Sequence, residues 1–294
     1  MTAPIVLPWP LRSGLEAATW ALFDLGDQSS ADFLRPPGEA ALVSPESVSW
    51  RVFKNPLSLF IGGVAAVIME LAEPRVRTGV WEHTTFRIDP IQRLRRTGRA
   101  AMLTIYGARS TAEAMIARVR RMHERIVGAT PAGKAYRAND PELLNWVQGT
   151  AAYGFLQAYH AYVRPLSDLE RDRFYAEGTL AASLYGASAA TSEAVLEMRF
   201  KGMANRLERS DVLFEFLAIM RSAPILPLPL RPVQSLLIRA AIDLTPQWLR
   251  RIVGLTEHGL NVLESGVVRQ IGAFADRLVL ETNPAVQACR RMRL

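Results

Sequence analysis

Cysteine is almost absent from this 294-residue sequence, which contains only Cys289. A single thiol cannot form an intramolecular disulfide, and it cannot supply the ligands of an iron–sulfur cluster or of a cysteine-based zinc site. The sequence therefore excludes a disulfide-stabilised scaffold. It is typical of a protein of the reducing cytoplasm.

The motifs of several large enzyme classes are also missing. The chain contains no HExxH, CxxC, GxSxG or GxGxxG pattern and no P-loop. These patterns carry the zinc, nucleophile and phosphate chemistry of many proteases, hydrolases and nucleotide-binding proteins. Those function classes therefore lack their usual support.

Hydrophobic runs long enough to cross a bilayer are absent as well. The most apolar stretch, LSLFIGGVAAVIMELA at residues 57–72, is shorter than the roughly 20 residues that a membrane span needs. We predict a buried helix there. The first residues, MTAPIVLPWPLRSG, contain prolines and no apolar core after a basic start, so we expect no signal peptide.

Positive charge is plentiful, and nearly all of it is arginine. The chain carries 35 Lys and Arg against 28 Asp and Glu, which gives a net charge of +7. The arginines are spread along many predicted helices without a lysine-rich tail, which argues against nucleic-acid binding. The charge suits acidic groups of a cofactor, and it leaves peripheral contact with an anionic membrane surface open.

Apolar residues recur at helical spacing almost throughout, which predicts an all-α protein; only residues 41–53 show weak strand-like alternation. The proline-rich segment 222–232 cannot be helical and separates two helical blocks of one domain, residues 1–294. The motifs DPIQRL and NDPELL place an Asp cap before a proline at the first helical position. The predicted helices are 10–23, 28–34, 56–72, 74–81, 90–106, 110–127, 140–162, 167–185, 191–207, 211–220, 231–242, 246–252, 256–277 and 283–290.

His123 is the most informative of the four histidines. In the segment RVRRMHERIVG, residues 118–128, helical spacing places His123 on the apolar face with Ile116 and Val119, away from most of the arginines. An inward histidine either hydrogen-bonds to a neighbouring group or ligates a metal or a heme. His160 and His258 have no second ligand one turn away, so we expect neither to be functional.

Two further segments contain polar side chains suited to a binding site. Arg93 and Thr97 lie one helical turn apart with Arg96 beside them, and such a face can bind a carboxylate or a phosphate. The alternative interpretation is an exposed basic helix face. Glu82 and His83 come together in GVWEHTTF, where a structural role for His83 is the simpler interpretation.

The order of these segments resembles that of the MpaB/rubber oxygenase (latex clearing protein) family of heme-dependent oxygenases. The resemblance covers about residues 50–220, with a C-terminal helical extension over about 231–294. It rests on the succession of GVWEHTTFRIDPIQRLRRT, TIYG, RVRRMHERIVG, YRANDPELLNWVQGT and RPLSDLERDRFYAEG. It implies a globin-like all-α core with additional helices around a heme b.

The resemblance also implies roles for individual residues. His123 matches the proximal iron ligand, and Arg93 and Thr97 match a pair near the heme. The chain departs from the family at Arg96, where the rubber oxygenases have lysine, and at Gln148, where many relatives have histidine. Neither replacement is a good iron ligand, because arginine stays protonated and an amide is not basic.

The resulting expectation is a heme b-dependent oxygenase that acts with dioxygen on a hydrophobic, isoprenoid-like unsaturated substrate. We expect His123, Arg93, Arg96, His83 and Gln148 to contribute to cofactor binding, and Glu82 to supply a base beside Arg93 and Thr97. Two alternatives remain open. One is a heme protein without oxygenase activity, serving in electron transfer, peroxide chemistry or sensing, and the other is a metal-free helical binding protein.

Overall fold

The computed structural model of the protein describes Ile5 and residues 33–226, 228–278 and 280–293. The predicted helix 10–23 and most of the predicted helix 28–34 lie outside these residues. The described part of the chain confirms the all-α class. Its α-helices are α1 (Val48–Lys54), α2 (Pro56–Glu70), α3 (Pro74–His83), α4 (Pro90–Tyr106), α5 (Arg109–His123), α6 (Pro141–Tyr162), α7 (Asp168–Glu177), α8 (Thr179–Tyr185), α9 (Glu193–Met203), α10 (Asp211–Ser222), α11 (Arg231–Leu244), α12 (Gln247–Val253), α13 (Val262–Arg277) and α14 (Pro284–Met292).

The predicted Asp–Pro helix starts are confirmed. Asp89 caps α4 by accepting from the backbone N–H of Gln92 at 3.0 Å, and Asp140 caps α6 by accepting from Glu142 at 2.9 Å. The proline that follows each Asp has no N–H to leave unsatisfied in the first turn. These local signals determine the first residues of α4 and α6 without help from the rest of the fold.

The centre of the molecule is a close crossing of α2 and α6. A side chain at Gly62 would stand 2.7 Å from the carbonyl oxygen of Gly154, and one at Gly154 would stand 2.3 Å from that of Gly62. The two backbones therefore touch with no side chain between them. Around this crossing the apolar faces of α2 and α6 join one large core, as the sequence predicts for residues 57–72.

Several predicted boundaries differ from the structure. The proline-rich segment 222–232, predicted to be non-helical, contains the end of α10, a 3₁₀ turn at Leu228–Leu230 and the start of α11. The predicted helix 110–127 ends at His123, because an antiparallel hairpin follows with strands β1 (Val127–Ala129) and β2 (Ala135–Arg137). The predicted helix 167–185 is divided at Gly178 into α7 and α8. The predicted helix 256–277 begins at Val262, after an Asn261 cap. The strand-like residues 41–53 contain α1, and only Ala41 forms a bridge, with Ala108.

Two buried polar side chains tie the C-terminal helices to the core. Asn55 caps α2 and donates from Nδ2 to the carbonyl of Gly272 on α13 at 2.9 Å. Arg291 on α14 donates to the carbonyls of Phe33, at 2.8 Å, and Tyr106, at 2.9 Å. Both side chains are almost fully buried, so these contacts join the two ends of the described chain.

Within the described ranges, no single helix is both long and apolar enough to cross a membrane. The pair α1 and α2 meets that criterion together, by length and composition, with a bend of 95° between them.

Candidate functional site

His123 is the last residue of α5 and is half-buried. Burial and, to a smaller extent, the charge of Arg93 lower the pKa of His123, so its imidazole is neutral at pH 7. No described side chain forms a hydrogen bond to this imidazole. The prediction that His123 points inward is therefore consistent with its placement, and both ring nitrogens are left for other partners.

Arg93 and Thr97 contact each other along α4. The guanidinium of Arg93 donates to Thr97 Oγ1, and that hydroxyl donates to the Arg93 carbonyl at 3.0 Å. The Thr97 hydroxyl thus acts both as a hydrogen-bond acceptor and as a hydrogen-bond donor towards Arg93. Burial is the main factor lowering the Arg93 pKa, but an arginine remains charged at any physiological pH. Thr97 therefore holds a cation close to His123.

Glu70, the last residue of α2, lies near Arg93, although the sequence did not indicate it as a site residue. Its carboxyl lies within electrostatic reach of Arg93 and near Thr150 on α6, a residue with no exposed surface whose hydroxyl donates to the Val147 carbonyl at 2.9 Å. Burial raises the pKa of Glu70 to about 7, while Arg93 and Thr150 oppose that shift. We call Glu70, Arg93, Thr97, His123 and Thr150 the Arg93 site.

The helix crossing explains why Glu70 and Thr150 lie near each other. Gly62 faces Gly154; eight residues later on α2 stands Glu70, and four residues earlier on α6 stands Thr150. The two helices therefore run in opposite directions, and the C-terminal end of α2 reaches the first half of α6. The glycine contact that fixes the crossing thus also fixes the acidic part of the Arg93 site.

The other predicted residues form their described side-chain contacts with residues outside the Arg93 site. Arg96 is exposed and donates to Thr85 at 2.9 Å, although its charge still acts on Arg93. Glu82 and His83 are exposed at the end of α3, where Tyr136 donates to Glu82 at 3.5 Å and packs edge-on against His83.

Gln148 and the remaining histidines occupy different surroundings. The Gln148 side chain lies beside Gly178, between α7 and α8, and its buried Oε1 has no hydrogen-bond partner among the described residues. His160 Nδ1 accepts from the Leu166 N–H at 2.9 Å, which is a structural role, and His258 is exposed.

The residues of the Arg93 site fit a heme. Iron in a heme needs a neutral imidazole, and the propionates need cations, which His123, Arg93 and Arg96 would supply. No cluster of three or more His, Cys, Asp and Glu suited to a metal ion occurs in the described residues. A heme does not need such a cluster, because one protein ligand can hold its iron.

A separate cavity lies between α6 and α9. It measures about 420 Å³ and is lined mainly by Trp146, Leu196, Phe200 and Met203. At its rim Glu142 pairs with Arg75 at 2.8 Å and also with Arg206, whereas the buried Nε1 of Trp146 has no hydrogen-bond partner among the described residues.

Comparison with protein families gives a match over most of the chain. A family model described as "ER-bound oxygenase mpaB/B'/Rubber oxygenase, catalytic domain" matches residues 50–277. The match covers more than half of the chain, includes every residue of the Arg93 site and runs beyond residue 220, where the resemblance seen in the sequence ends. No curated protein and no solved structure matches the chain significantly.

Proposed function

The chain belongs to the mpaB/rubber oxygenase catalytic-domain family, and we propose that it binds heme b through His123 and oxygenates a hydrophobic, isoprenoid-like unsaturated substrate. The observation that carries the proposal is the pairing of a neutral, half-buried histidine at a helix end with the half-buried cation Arg93. Heme b, when bound, supplies a redox-active iron that reacts with dioxygen.

The residues of the Arg93 site have distinct roles in this proposal. His123 is the iron ligand. Arg93 and Arg96 neutralise propionates, and Thr97 keeps the Arg93 guanidinium in place through its hydroxyl. We propose that Glu82 is the base for a substrate proton and that His83 and Gln148 help to hold the cofactor.

A heme protein without oxygenase activity is the second candidate. Arg96 and Gln148 stand where rubber oxygenases and many relatives have lysine and histidine, so the chain lacks two side chains able to ligate iron or transfer a proton there. An electron carrier, a peroxidase or a sensor needs neither. These replacements therefore bear on the reaction and leave heme binding unaffected.

Absorption spectra test the heme proposal directly. We expect protein expressed with added heme precursor to show a Soret band that shifts on reduction, and we expect His123→Ala to lose most of it. His258→Ala is the matched control, because His258 is exposed, and it should retain the wild-type spectrum. A featureless visible spectrum of the wild type, or an unchanged spectrum of His123→Ala, would contradict the assignment. Oxygen uptake with isoprenoid alkenes then separates an oxygenase from a carrier.

We also propose that the protein contacts membrane surfaces peripherally, where an apolar substrate would partition. Val262, Leu263, Val267 and Phe274 on α13 are exposed, and Val267 borders an apolar groove shared with Val233 and Leu236 of α11. Exposed apolar residues on a protein with a net charge of +7 suit an anionic lipid surface.

A further inference from the structure

The cavity between α6 and α9 is separate from the Arg93 site, since none of the residues that line it belongs to that site. A close contact of the two helices explains where it lies. A side chain at Gly149 would stand 2.9 Å from Leu196 Cδ1, so α6 and α9 touch there. Glu142, about two turns before Gly149 on α6, pairs with Arg206, just beyond the end of α9. The helices are therefore antiparallel, and the cavity lies on the Glu142 side of the Gly149 contact.

The walls of this cavity are apolar. Leu196, Phe200 and Met203 come from α9, and Trp146 comes from α6 with its ring edge-on to Phe200 at a centroid distance of 5.2 Å. All four side chains are buried. The volume of about 420 Å³ is within the range of small-molecule sites, and walls of this kind suit the aliphatic part of a ligand.

The rim of the cavity contains a cation, Arg199, that has no carboxylate partner among the described residues. Its guanidinium donates to the backbone carbonyls of residues 188 and 189, the second at 3.1 Å. These bonds to neutral groups hold the guanidinium in place, leave its charge uncompensated and leave further N–H groups for a ligand. Glu142 at the same rim does not compensate this charge, because Arg75 and Arg206 bind its two oxygens.

Two neutral donors line the same cavity. Asn145 Oδ1 accepts from the Ser188 N–H at 2.6 Å, which leaves Nδ2 as the donor of this amide. The buried Nε1–H of Trp146 has no partner in the described part of the chain, and a buried donor without an acceptor costs stability. The cavity therefore combines hydrogen-bond donors and one positive charge with apolar walls.

We propose that this cavity binds an aliphatic monocarboxylate, with its carboxylate on Arg199 and Asn145 and its chain against Phe200 and Met203. A carboxylate only accepts hydrogen bonds, and it brings the negative charge that Arg199 lacks. An alcohol of the same length brings no charge, and an ammonium is repelled by the guanidinium. The site is independent of the proposed heme, because it shares no residue with the Arg93 site.

Three probes of equal chain length test the ligand class by calorimetric titration of the full chain. We expect octanoate to bind roughly tenfold more tightly than octan-1-ol, the factor for one hydrogen bond to a charged group, and octylammonium to bind most weakly. Equal affinities for octanoate and octanol, or no binding of octanoate, would overturn the proposal.

Arg199→Gln tests the carboxylate contact. It should lower the octanoate affinity roughly tenfold and leave the octanol affinity unchanged, which also shows that the cavity is intact. Arg251→Gln is the matched control, because Arg251 is exposed on α12 and the substitution removes the same charge away from the cavity. Equal losses of octanoate affinity in the two variants would mean that net charge alone attracts the anion, and the assignment to Arg199 would fail.

Gly202→Leu tests the location without changing charge. Gly202 lines the cavity, and a Cβ there meets no atom within 4 Å, so the fold has room for the leucine. We expect it to fill part of the cavity and to weaken octanoate and octanol alike. Gly266→Leu on α13 is the matched control, because its Cβ also meets nothing within 4 Å.

These measurements also separate this inference from the proposed function. If the protein binds no heme, the titrations still decide what the α6–α9 cavity binds. If Gly202→Leu leaves both affinities unchanged, or if Arg93→Gln lowers the octanoate affinity and Arg199→Gln does not, the carboxylate binds elsewhere and this inference is wrong.

Discussion

At the scale of single residues, the position of Glu70 costs the protein stability at neutral pH. A carboxyl with a folded-state pKa of about 7 and an ordinary value of 4.5 binds its proton more tightly in the folded protein than in the unfolded chain. Its stabilising contribution is therefore fully present below about pH 4.5 and is lost as the pH rises through 7. Buried carboxylates with this property are frequent in functional sites.

We therefore predict a pH-dependent difference between Glu70→Gln and the wild type in heme-free protein. Gln stays neutral, so the variant avoids a loss of up to about 3 kcal/mol in the free energy of unfolding between about pH 5 and pH 8. Urea denaturation across this range measures it, with Glu113→Gln, at an exposed position of α5, as the control. Parallel profiles for Glu70→Gln and the wild type would show that the Glu70 carboxyl is not desolvated.

Sequence alone could place some of these residues but not others. The spacing of His123 with Ile116 predicts an inward imidazole, and the four-residue spacing of Arg93 and Thr97 predicts their contact. Glu70 gives no such signal, because it ends an apolar stretch that only predicts a buried helix. Its neighbour Thr150 lies 80 positions away, and the crossing of α2 and α6 brings the two close.

At the scale of helices, capping residues in the sequence predict where helices such as α4 and α6 begin. They do not predict the short β1–β2 hairpin or the break between α7 and α8. Asp89 and Asp140 cap helices through contacts within three residues, so the sequence contains the whole signal. The β1–β2 hairpin has three-residue strands, too short for alternation to be recognised. The end of α7 at Gly178 likewise interrupts a continuous helical pattern.

Gly62 offers a test of the crossing that builds the site. We predict that Gly62→Ala destabilises the protein by about 3 kcal/mol, because its new methyl group would meet the Gly154 backbone at 2.7 Å. The helices would have to separate, so the pKa of Glu70 should also move towards its ordinary value. Chemical denaturation measures the first effect, and its pH dependence measures the second.

Gly63 provides the matched control. A methyl group there would approach only the Phe155 ring, at 3.9 Å, which is an ordinary contact. Alanine is the better helix former, so Gly63→Ala should be neutral or stabilise the protein by about 0.5–1 kcal/mol. Equal effects of the two substitutions would show that the close crossing is not what makes Gly62 necessary.

At the scale of the whole molecule, positive charge and exposed apolar surface would make separate contributions to contact with a membrane. The Arg93 site contains one half-buried arginine, Arg93 on α4, whereas the other arginines behind the net charge of +7 lie outside that site. Long-range attraction to an anionic surface depends on that overall charge and weakens with salt. Retention on such a surface depends on apolar side chains that can insert.

Vesicle binding by variants of α13 separates these two contributions. Leu263 has 83% of its surface exposed, and we expect its side chain to insert into the membrane. Leu263→Glu should therefore lower the affinity for phosphatidylcholine–phosphatidylserine vesicles roughly tenfold, which corresponds to a difference in binding free energy of about 1.4 kcal/mol. Met198→Glu is the matched control, because Met198 is 65% exposed on α9 and adds the same charge away from α13. High salt should weaken binding of wild type and control alike, through the shared net charge. If both variants lose affinity equally, charge alone drives the association; if neither does, α13 is not the face that meets the membrane.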